Sequence, residues 1–271
     1  MSFIQENILE INIGLNKEYK IIHISDVHAV TSCDNDSDDV KEEALKVEDL
    51  WYRQRTWFAD KFGEYYDESH MIPSKEAFEK LIDYINNENP NVSILSGDII
   101  DYYSESNFKM LEEECDKIKV PYLFLIGNHE APTERFKSLT KSDIGFSKID
   151  LGEFKIVSID NSTKSVSPAT LNSFKEELDD NKPIIVAMHI PVSTSYNKDE
   201  MNKLDQYFII NHDDTDSTTK EFIDILISNP NIKGVLCGHL HGFSYTHYAN
   251  DKPQISASSG LIGWVNKIIV K

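Results

Sequence analysis

Cysteine and arginine are scarce in this 271-residue chain, and basic residues are outnumbered. Three cysteines without paired spacing exclude a disulfide framework and favour a reducing compartment. The chain has 46 acidic and 27 basic residues, a formal net charge of −19, and no cluster of lysine and arginine. Because non-specific binding to nucleic acid depends on basic contacts to phosphates, this composition argues against a nucleic-acid partner.

Long apolar runs are also missing. No run approaches the roughly 18 residues that a membrane span needs. Residues 1–19 have neither the basic start nor the continuous apolar stretch of a signal peptide. We therefore expect no membrane partner and a cytoplasmic location.

What is present is an alternation of short β-branched runs with segments of helical period. The predicted strands are 20–25, 92–96, 122–126, 154–159, 184–188, 234–237, 254–256 and 267–270. Predicted helices cover 74–86 and 106–119, and two more begin at Ser167–Pro168 and at a Thr218–Glu221 capping box. The alternation predicts a layered α/β fold with mixed sheets, in a single domain spanning 1–271.

One segment departs from this pattern. Residues 31–73 open with an acidic run and continue as a helix-like stretch rich in aromatic residues. A connection of this length in a compact domain is usually functional or disordered, and its aromatic content argues against disorder. We interpret it as an insertion on the domain, with one helical face formed by Leu45, Trp51, Phe58 and Phe62.

Residue types that bind metals follow the predicted strands in five short clusters. They are Asp26-Val27-His28, Gly97-Asp98-Ile99-Ile100-Asp101, Gly127-Asn128-His129-Glu130, His189, and Gly238-His239-Leu240-His241. Each cluster alone is weak evidence, but open α/β sheets bind their ligands at the carboxyl ends of strands, where all five lie.

The chemistry of these residues indicates the class of metal. Carboxylate, imidazole and amide oxygen together suit manganese, iron, zinc or cobalt. Seven groups exceed the needs of one tetrahedral site and match two metal ions that share a carboxylate.

The ordered series D-x-H, G-D-x-x-D, G-N-H-E, H and G-H-x-H resembles the calcineurin-like metallophosphoesterase superfamily, from Asp26 to His241. The resemblance implies a four-layer α/β/β/α sandwich with a dinuclear site. It assigns Asp26, His28 and His241 to one metal, assigns Asn128, His189 and His239 to the other, and makes Asp98 the bridge. It also gives His129 a role at the substrate phosphate, with Asp101 as its partner.

Two departures narrow the activity. Protein phosphatases of this class place Arg-Gly after the second motif, where this chain has Tyr102-Tyr103. Purple acid phosphatases carry a metal-bound tyrosine at the position of Asp101. Both subclasses are therefore disfavoured.

The expected reaction is hydrolysis of a phosphomonoester or small phosphodiester, with a nucleotide-like substrate as a candidate. A hydroxide bridging the two metals would attack phosphorus directly, and His129 would protonate the leaving group while Asp101, and in a lesser role Glu130, orient it. Two alternatives stay open: a non-enzymatic interaction scaffold on the same fold, and a nuclease, against which the net charge argues.

The insertion carries a further hypothesis. Because it directly follows His28, it leaves and rejoins the domain near the expected metals, so we expect it to fold over the site as a cap. Arg53 and Arg55, two of the three arginines, are candidates to bind a phosphate or carboxylate of the substrate.

Overall fold

The computed structural model describes residues 3–130, 134–140, 145–204 and 208–271. In chain order, the strands are β1 (Gln5–Ile11), β2 (Tyr19–Ile24), β3 (Val92–Leu95), β4 (Tyr122–Phe124), β5 (Phe146–Asp150), β6 (Lys155–Ile159), β7 (Ile184–Met188), β8 (Val192–Ser193), β9 (Ile210–Asn211), β10 (Ile232–Cys237), β11 (Ser244–Ala249), β12 (Lys252–Ser256) and β13 (Trp264–Val270). The helices are α1 (Asp38–Phe62), α2 (Ser74–Glu88), α3 (Glu105–Cys115), α4 (Lys137–Thr140), α5 (Pro168–Glu176), α6 (Lys198–Leu204) and α7 (Ser217–Ser228), with short 3-10 turns at Glu68–His70, Glu134–Phe136 and Gly260–Ile262.

Two mixed sheets form the centre of the fold. One has the order β1-β13-β2-β3-β4 and the other β11-β12-β10-β7-β6-β5, while β8 and β9 form a separate short pair. Strands β2, β3 and β4 run parallel, as do β6, β7, β10 and β12. The carboxyl ends of the parallel strands within each sheet therefore lie on one edge.

Successive side chains of a strand point to opposite faces, and this alternation builds the layers. Ile21 of β2 packs between the sheets with Ile156 and Leu236 of the second sheet. Its neighbour Ile22 packs outward against helices α2 and α3. On the far side, the second sheet packs its outer face against Phe174 of α5 and other residues of α5 and α7. The predicted α/β/β/α sandwich is confirmed.

The sequence did not indicate five of these strands: the two-residue strands β8 and β9, and three strands at the edges of the two large sheets, β1, β5 and β11. Edge strands face water on one side and carry polar or charged residues, which weakens the apolar pattern. In β1, for example, partly buried and exposed residues alternate, and Glu6 and Glu10 are among the exposed ones. The capping-box prediction for α7 was wrong, because Asp216 caps the helix by accepting from the backbone N–H groups of Thr218 and Thr219.

The 31–73 segment contains the long helix α1. Its buried stripe consists of Ala44, Val47, Trp51, Arg55 and Ala59. Leu45 was predicted to dock but is 72% exposed, because it lies one residue off the stripe and so about 100° around the helix. In the described part of the chain, no helix combines the length and apolar character needed to cross a membrane.

Candidate metal centre

Five turns at strand carboxyl ends bring the predicted site residues to one place. They carry Asp26 and His28 after β2, Asp98 and Asp101 after β3, Asn128 and His129 after β4, His189 after β7, and His239 and His241 after β10. The first three turns leave one sheet and the last two leave the other, so the centre lies where the edges of the two sheets meet.

The ligand atoms fall into two groups that share Asp98. Asp26, His28, Asp98 and His241 form one group, and Asp98, His189 and His239 form the other, with the ligand atoms of each group within 4.8 Å of one another. The Nε2 atoms of His28 and His241 are 3.0 Å apart. Asn128 Oδ1 joins the second group at 3.1 Å from His189 Nε2. The structure thus brings together all seven predicted ligands.

Asp26 and Asp98 each use one carboxylate oxygen to hold a neighbouring turn and direct the other toward a histidine of the centre. Asp26 Oδ2 accepts from the backbone N–H of His239 at 2.8 Å, and its Oδ1 lies 3.3 Å from His241 Nε2. Asp98 Oδ1 accepts from the backbone N–H of His129 at 2.9 Å, and its Oδ2 lies 3.2 Å from His189 Nε2. The carboxylates therefore cross-link the turns and also present one oxygen each to the centre.

The donor set fits divalent metal ions. Among the residues that the structure describes, Asp26 Oδ1, His239 Nε2 and His241 Nδ1 are buried and have no hydrogen-bond partner, an arrangement that is costly unless something else satisfies these atoms. Burial lowers the pKa of His189, but Asp98 and Asp26 outweigh it and raise that pKa to about 9. The two carboxylates therefore favour positive charge at His189, and carboxylate with imidazole suits a transition metal.

The ligand turns use unusual backbone conformations. Five of the nine non-glycine residues with positive φ in the described chain are predicted ligands: Asp26, His28, Asp98, His239 and His241. Non-glycine residues rarely adopt this region, and such residues cluster at functional sites. Gly127 has a different role, since a Cβ there would lie 2.1 Å from Asp98 Oδ1. It lets the β3 and β4 turns approach closely.

Glu130 holds these turns together, a role that the sequence did not reveal. Its buried carboxylate accepts from the backbone N–H groups of Gly127 (2.6 Å), Asp98 (3.1 Å), Ile99 (2.7 Å) and Ile100 (3.2 Å). Burial and then the charge of Asp98 raise its pKa to about 7. The structure gives it no contact that would orient His129, because its oxygens are engaged with the backbone.

His129 and Asp101 lie together at the border of the first group. His129 Nδ1 is 2.8 Å from the Asp101 carbonyl oxygen and 3.2 Å from its Oδ1. Because a carbonyl only accepts, Nδ1 of His129 carries a hydrogen. Burial lowers the pKa of His129, but its hydrogen bond with Asp101 and the charges of Asp98 and Asp101 raise it to about 9. Asp101 Oδ1 also accepts from His28 Nδ1 at 2.9 Å.

His189 is fixed by two residues that were not predicted. Its Nδ1 donates to the backbone oxygen of Ser96 at 2.7 Å, which leaves Nε2 for the centre. Asn161 Oδ1 accepts from the backbone N–H groups of His189 and Ile190, both at 3.0 Å. Asn161 follows β6, so the rule that places ligands after strands could have identified it.

Helix α1 lies against the ligands of the first group. The indole of Trp51 stacks on the imidazole of His28 with 4.0 Å between ring centroids, and its Nε1 donates to Asp101 Oδ1 at 2.9 Å. The ring of Phe58 lies 4.4 Å from that of His241. Beyond the helix, Glu64 Oε1 accepts from the backbone N–H of Phe243 at 2.6 Å. The insertion thus contacts the turn that bears two predicted ligands.

The two candidate arginines are engaged within the insertion. Arg55 is buried and donates to the backbone oxygen of Ile72 at 2.6 Å, with Glu48 also in contact, which contradicts a role in holding substrate. Arg53 pairs with Asp49 on an exposed part of the helix and is itself 75% exposed. Outside the motifs, His212 pairs with Asp224 at 2.8 Å, and His247 packs beside Tyr245.

Comparisons with known proteins agree with this geometry. A curated relative from Colwellia psychrerythraea, a probable cyclic nucleotide phosphodiesterase, is 28% identical over 168 residues, which cover 57% of this chain and 58% of the relative. Among solved structures, a dimetal phosphatase from Danio rerio superposes with a TM-score of 0.58 at 12% identity, covering 90% of this chain and 88% of that one. A purple acid phosphatase from yellow lupin seeds gives a TM-score of 0.51 at 11% identity, covering 92% and 45%.

These structural likenesses show a shared fold, and the chain spans little more than half the length of its curated relative. The model of the calcineurin-like phosphoesterase family matches residues 19–243, most of the chain and every ligand turn. The protein belongs to the calcineurin-like phosphoesterase family.

Proposed function

We propose that the protein hydrolyses a small phosphate ester, either a phosphomonoester or a small phosphodiester, by direct attack of water on phosphorus. The observation that supports this most is the pair of ligand groups that share Asp98, with His129 beside them. Asp26, His28, Asp98 and His241 would hold one ion, and Asp98, Asn128, His189 and His239 the other.

The donor set suits manganese, iron, zinc or cobalt. When bound, a pair of such ions activates water as a nucleophile and offsets charge on the phosphoryl oxygens. The chain itself supplies orientation, because Asp26, Asp98, His28 and His189 are each fixed by a hydrogen bond from or to a neighbouring turn.

His129 protonates the leaving group in this proposal. Its Nδ1 is held by Asp101, so its Nε2 can donate to an ester oxygen placed at the centre. We expect His129→Ala to lower kcat by at least about 100-fold toward an ester with a poor leaving group, and much less toward p-nitrophenyl esters, which need little protonation.

The measurement is steady-state kinetics of the manganese-loaded enzyme on both substrates. His212→Ala serves as the matched control, because His212 pairs with Asp224 and touches no residue of the centre in the contacts described. Equal losses on the two substrates would remove His129 as the general acid.

The surroundings of the second ligand group favour a nucleotide-like substrate. The ring of Phe208 is 54% exposed and lies 5.9 Å from that of His239. Lys164 Nζ lies 5.1 Å from the Phe208 ring. An aromatic face with a nearby cation suits a flat base attached to an anionic phosphate. The Colwellia relative, a probable cyclic nucleotide phosphodiesterase, makes a cyclic nucleotide the first candidate.

Phe208→Ala tests this substrate class. Base stacking on an aromatic side chain is worth about 1–3 kcal/mol, so kcat/KM for a 3′,5′-cyclic nucleotide should fall about tenfold or more. The base-free ribose 3′,5′-cyclic phosphate is the control substrate and should lose little. Equal losses on both compounds would exclude the nucleotide assignment. So would a wild-type enzyme that hydrolyses other phosphate esters of a panel but neither of these two compounds.

Helix α1 forms a cap in this proposal and limits access to small esters. The support comes from Trp51, whose ring stacks on that of His28, and from Phe58, whose ring lies tilted beside that of His241. All seven ligand positions carry residues that bind metals, which gives the interaction-scaffold alternative no support. The net charge of −19 continues to argue against a nuclease.

A further inference from the structure

Trp51 connects the insertion to the metal centre through one carboxylate oxygen. Asp101 Oδ1 accepts from Trp51 Nε1 at 2.9 Å and from His28 Nδ1 at 2.9 Å. The side chain of Trp51 is buried at the core of a small apolar cluster with Val30, Val47 and Leu261. The tryptophan therefore fixes the position of the oxygen that orients His28.

The consequence for His28 follows from its two ring nitrogens. A metal-binding histidine usually donates its other N–H to a carboxylate, which sets its tautomer and ring orientation. With Nδ1–H bound to Asp101, the lone pair of Nε2 points toward His241 Nε2, 3.0 Å away. Stacking of the indole on His28, at 4.0 Å and 29° between the planes, restricts rotation of the imidazole.

The contacts of Trp51 are confined to one of the two ligand groups. Its ring also lies 5.2 Å from that of His241, which belongs to the same group as His28. In the other group, the imidazole of His189 donates to the backbone oxygen of Ser96, and the backbone N–H of His239 donates to Asp26. A change at Trp51 should therefore affect the two ions unequally.

We propose that Trp51 is a positioning residue that couples docking of helix α1 to binding of the ion held by Asp26, His28, Asp98 and His241. The coupling is reciprocal: the docked helix orients His28, and the bound ion stabilises the docked helix. The proposal rests on the metal centre of the proposed function but not on the choice of substrate.

Titration of the chelator-treated protein with Mn²⁺ alone, followed by calorimetry, tests the coupling. Trp51→Phe keeps an aromatic ring but removes the N–H donor. Loss of the direct partner of a ligand typically weakens metal binding 10–100-fold, and Trp51 acts one hydrogen bond further out, through Asp101. We therefore expect one of the two sites to weaken by about tenfold while the other stays within about threefold. Trp57→Phe is the matched control, since Trp57 lies on the same helix and is 56% exposed.

A second measurement uses the wild type only and so does not depend on how the variant folds. Addition of Mn²⁺ should slow amide hydrogen exchange across residues 47–59 of α1. The role of Trp51 would be overturned if both sites of Trp51→Phe bound Mn²⁺ with wild-type affinity, or if Mn²⁺ left the exchange of α1 unchanged. Either result would leave the metal centre itself in place. A wild type that binds no Mn²⁺ would overturn the metal centre as well, whereas failure to hydrolyse any ester would leave the titration result standing.

Discussion

Glu130 offers a sharp test of how the centre is held together, because one buried side chain joins two ligand turns. Its carboxylate accepts from Gly127 on the β4 turn and from Asp98, Ile99 and Ile100 on the β3 turn. Removing it leaves four buried backbone N–H groups without their acceptor.

The expected loss of stability can be worked from these contacts. An orphaned buried donor costs about 1–3 kcal/mol, so Glu130→Ala should lower the free energy of unfolding by about 4 kcal/mol or more. Since a domain has a total of about 5–15 kcal/mol, this variant is at risk of not folding. Each Glu130 oxygen accepts from two N–H groups, so Glu130→Gln keeps one acceptor oxygen and sets its amide nitrogen against two N–H groups. We therefore expect a smaller loss than in Glu130→Ala, of about 2 kcal/mol or more.

The assay is urea unfolding of Glu130→Gln followed by circular dichroism, with metal content measured on the same sample. Both ions should bind more weakly, because Asp98 belongs to both groups. Glu113→Gln on the exposed side of α3 is the matched control and should change stability by less than about 0.5 kcal/mol. A Glu130→Gln protein as stable as this control, with wild-type metal content, would refute the reasoning.

Two further predictions concern metal and pH. Chelation should abolish ester hydrolysis, and full activity after chelation would contradict the metal centre. Asp98→Asn should lower metal content and activity more than any other single ligand change, because Asp98 lies in both groups. We expect its activity to fall by about 100-fold or more. Burial lowers the pKa of His23 from 6.5 to about 4, so the unfolded chain binds more protons between these values and the stability contributed by neutral His23 is lost as pH falls. From pH 7 to pH 5, the free energy of unfolding should fall by about 2 kcal/mol less in His23→Gln than in the wild type. An equal fall in both proteins would show that His23 does not titrate in this way.

The sequence predicted a layered α/β fold and placed the ligand residues at strand ends because both depend on local signals, whereas the two-sheet sandwich was implied by the family resemblance. A buried strand such as β7 reads as an apolar run, and the turn after it carries His189. Edge strand β1 escaped notice because alternate residues face water. The face of α1 was only partly identified, since Leu45 and Trp51 both fit an aromatic and apolar pattern but only Trp51 lies on the buried stripe.

The missed roles depend on contacts between residues that are far apart in the chain. Asn161 holds the backbone of His189 from 28 residues away, and Trp51 reaches Asp101 from 50 residues away. Neither distance leaves a spacing that could be read along the sequence. Glu130 stood inside a recognised motif, yet its partners are backbone amides, which have no sequence signature.

The strained ligand turns explain why so many supporting contacts are needed. Residues such as Asp26, His28 and Asp98 have positive φ, a conformation that costs on the order of 1–3 kcal/mol each and persists only where neighbouring structure determines it. Here the turns bond to one another: Asp26 N–H donates to the Gly97 carbonyl at 3.1 Å, and His28 N–H to that of Asp98 at 2.9 Å. Because the ligand turns hold one another through these hydrogen bonds, a substitution that loosens one turn should shift the ligand atoms of its neighbours. Such a substitution would change how the ligands are arranged around the metal ions without replacing any ligand.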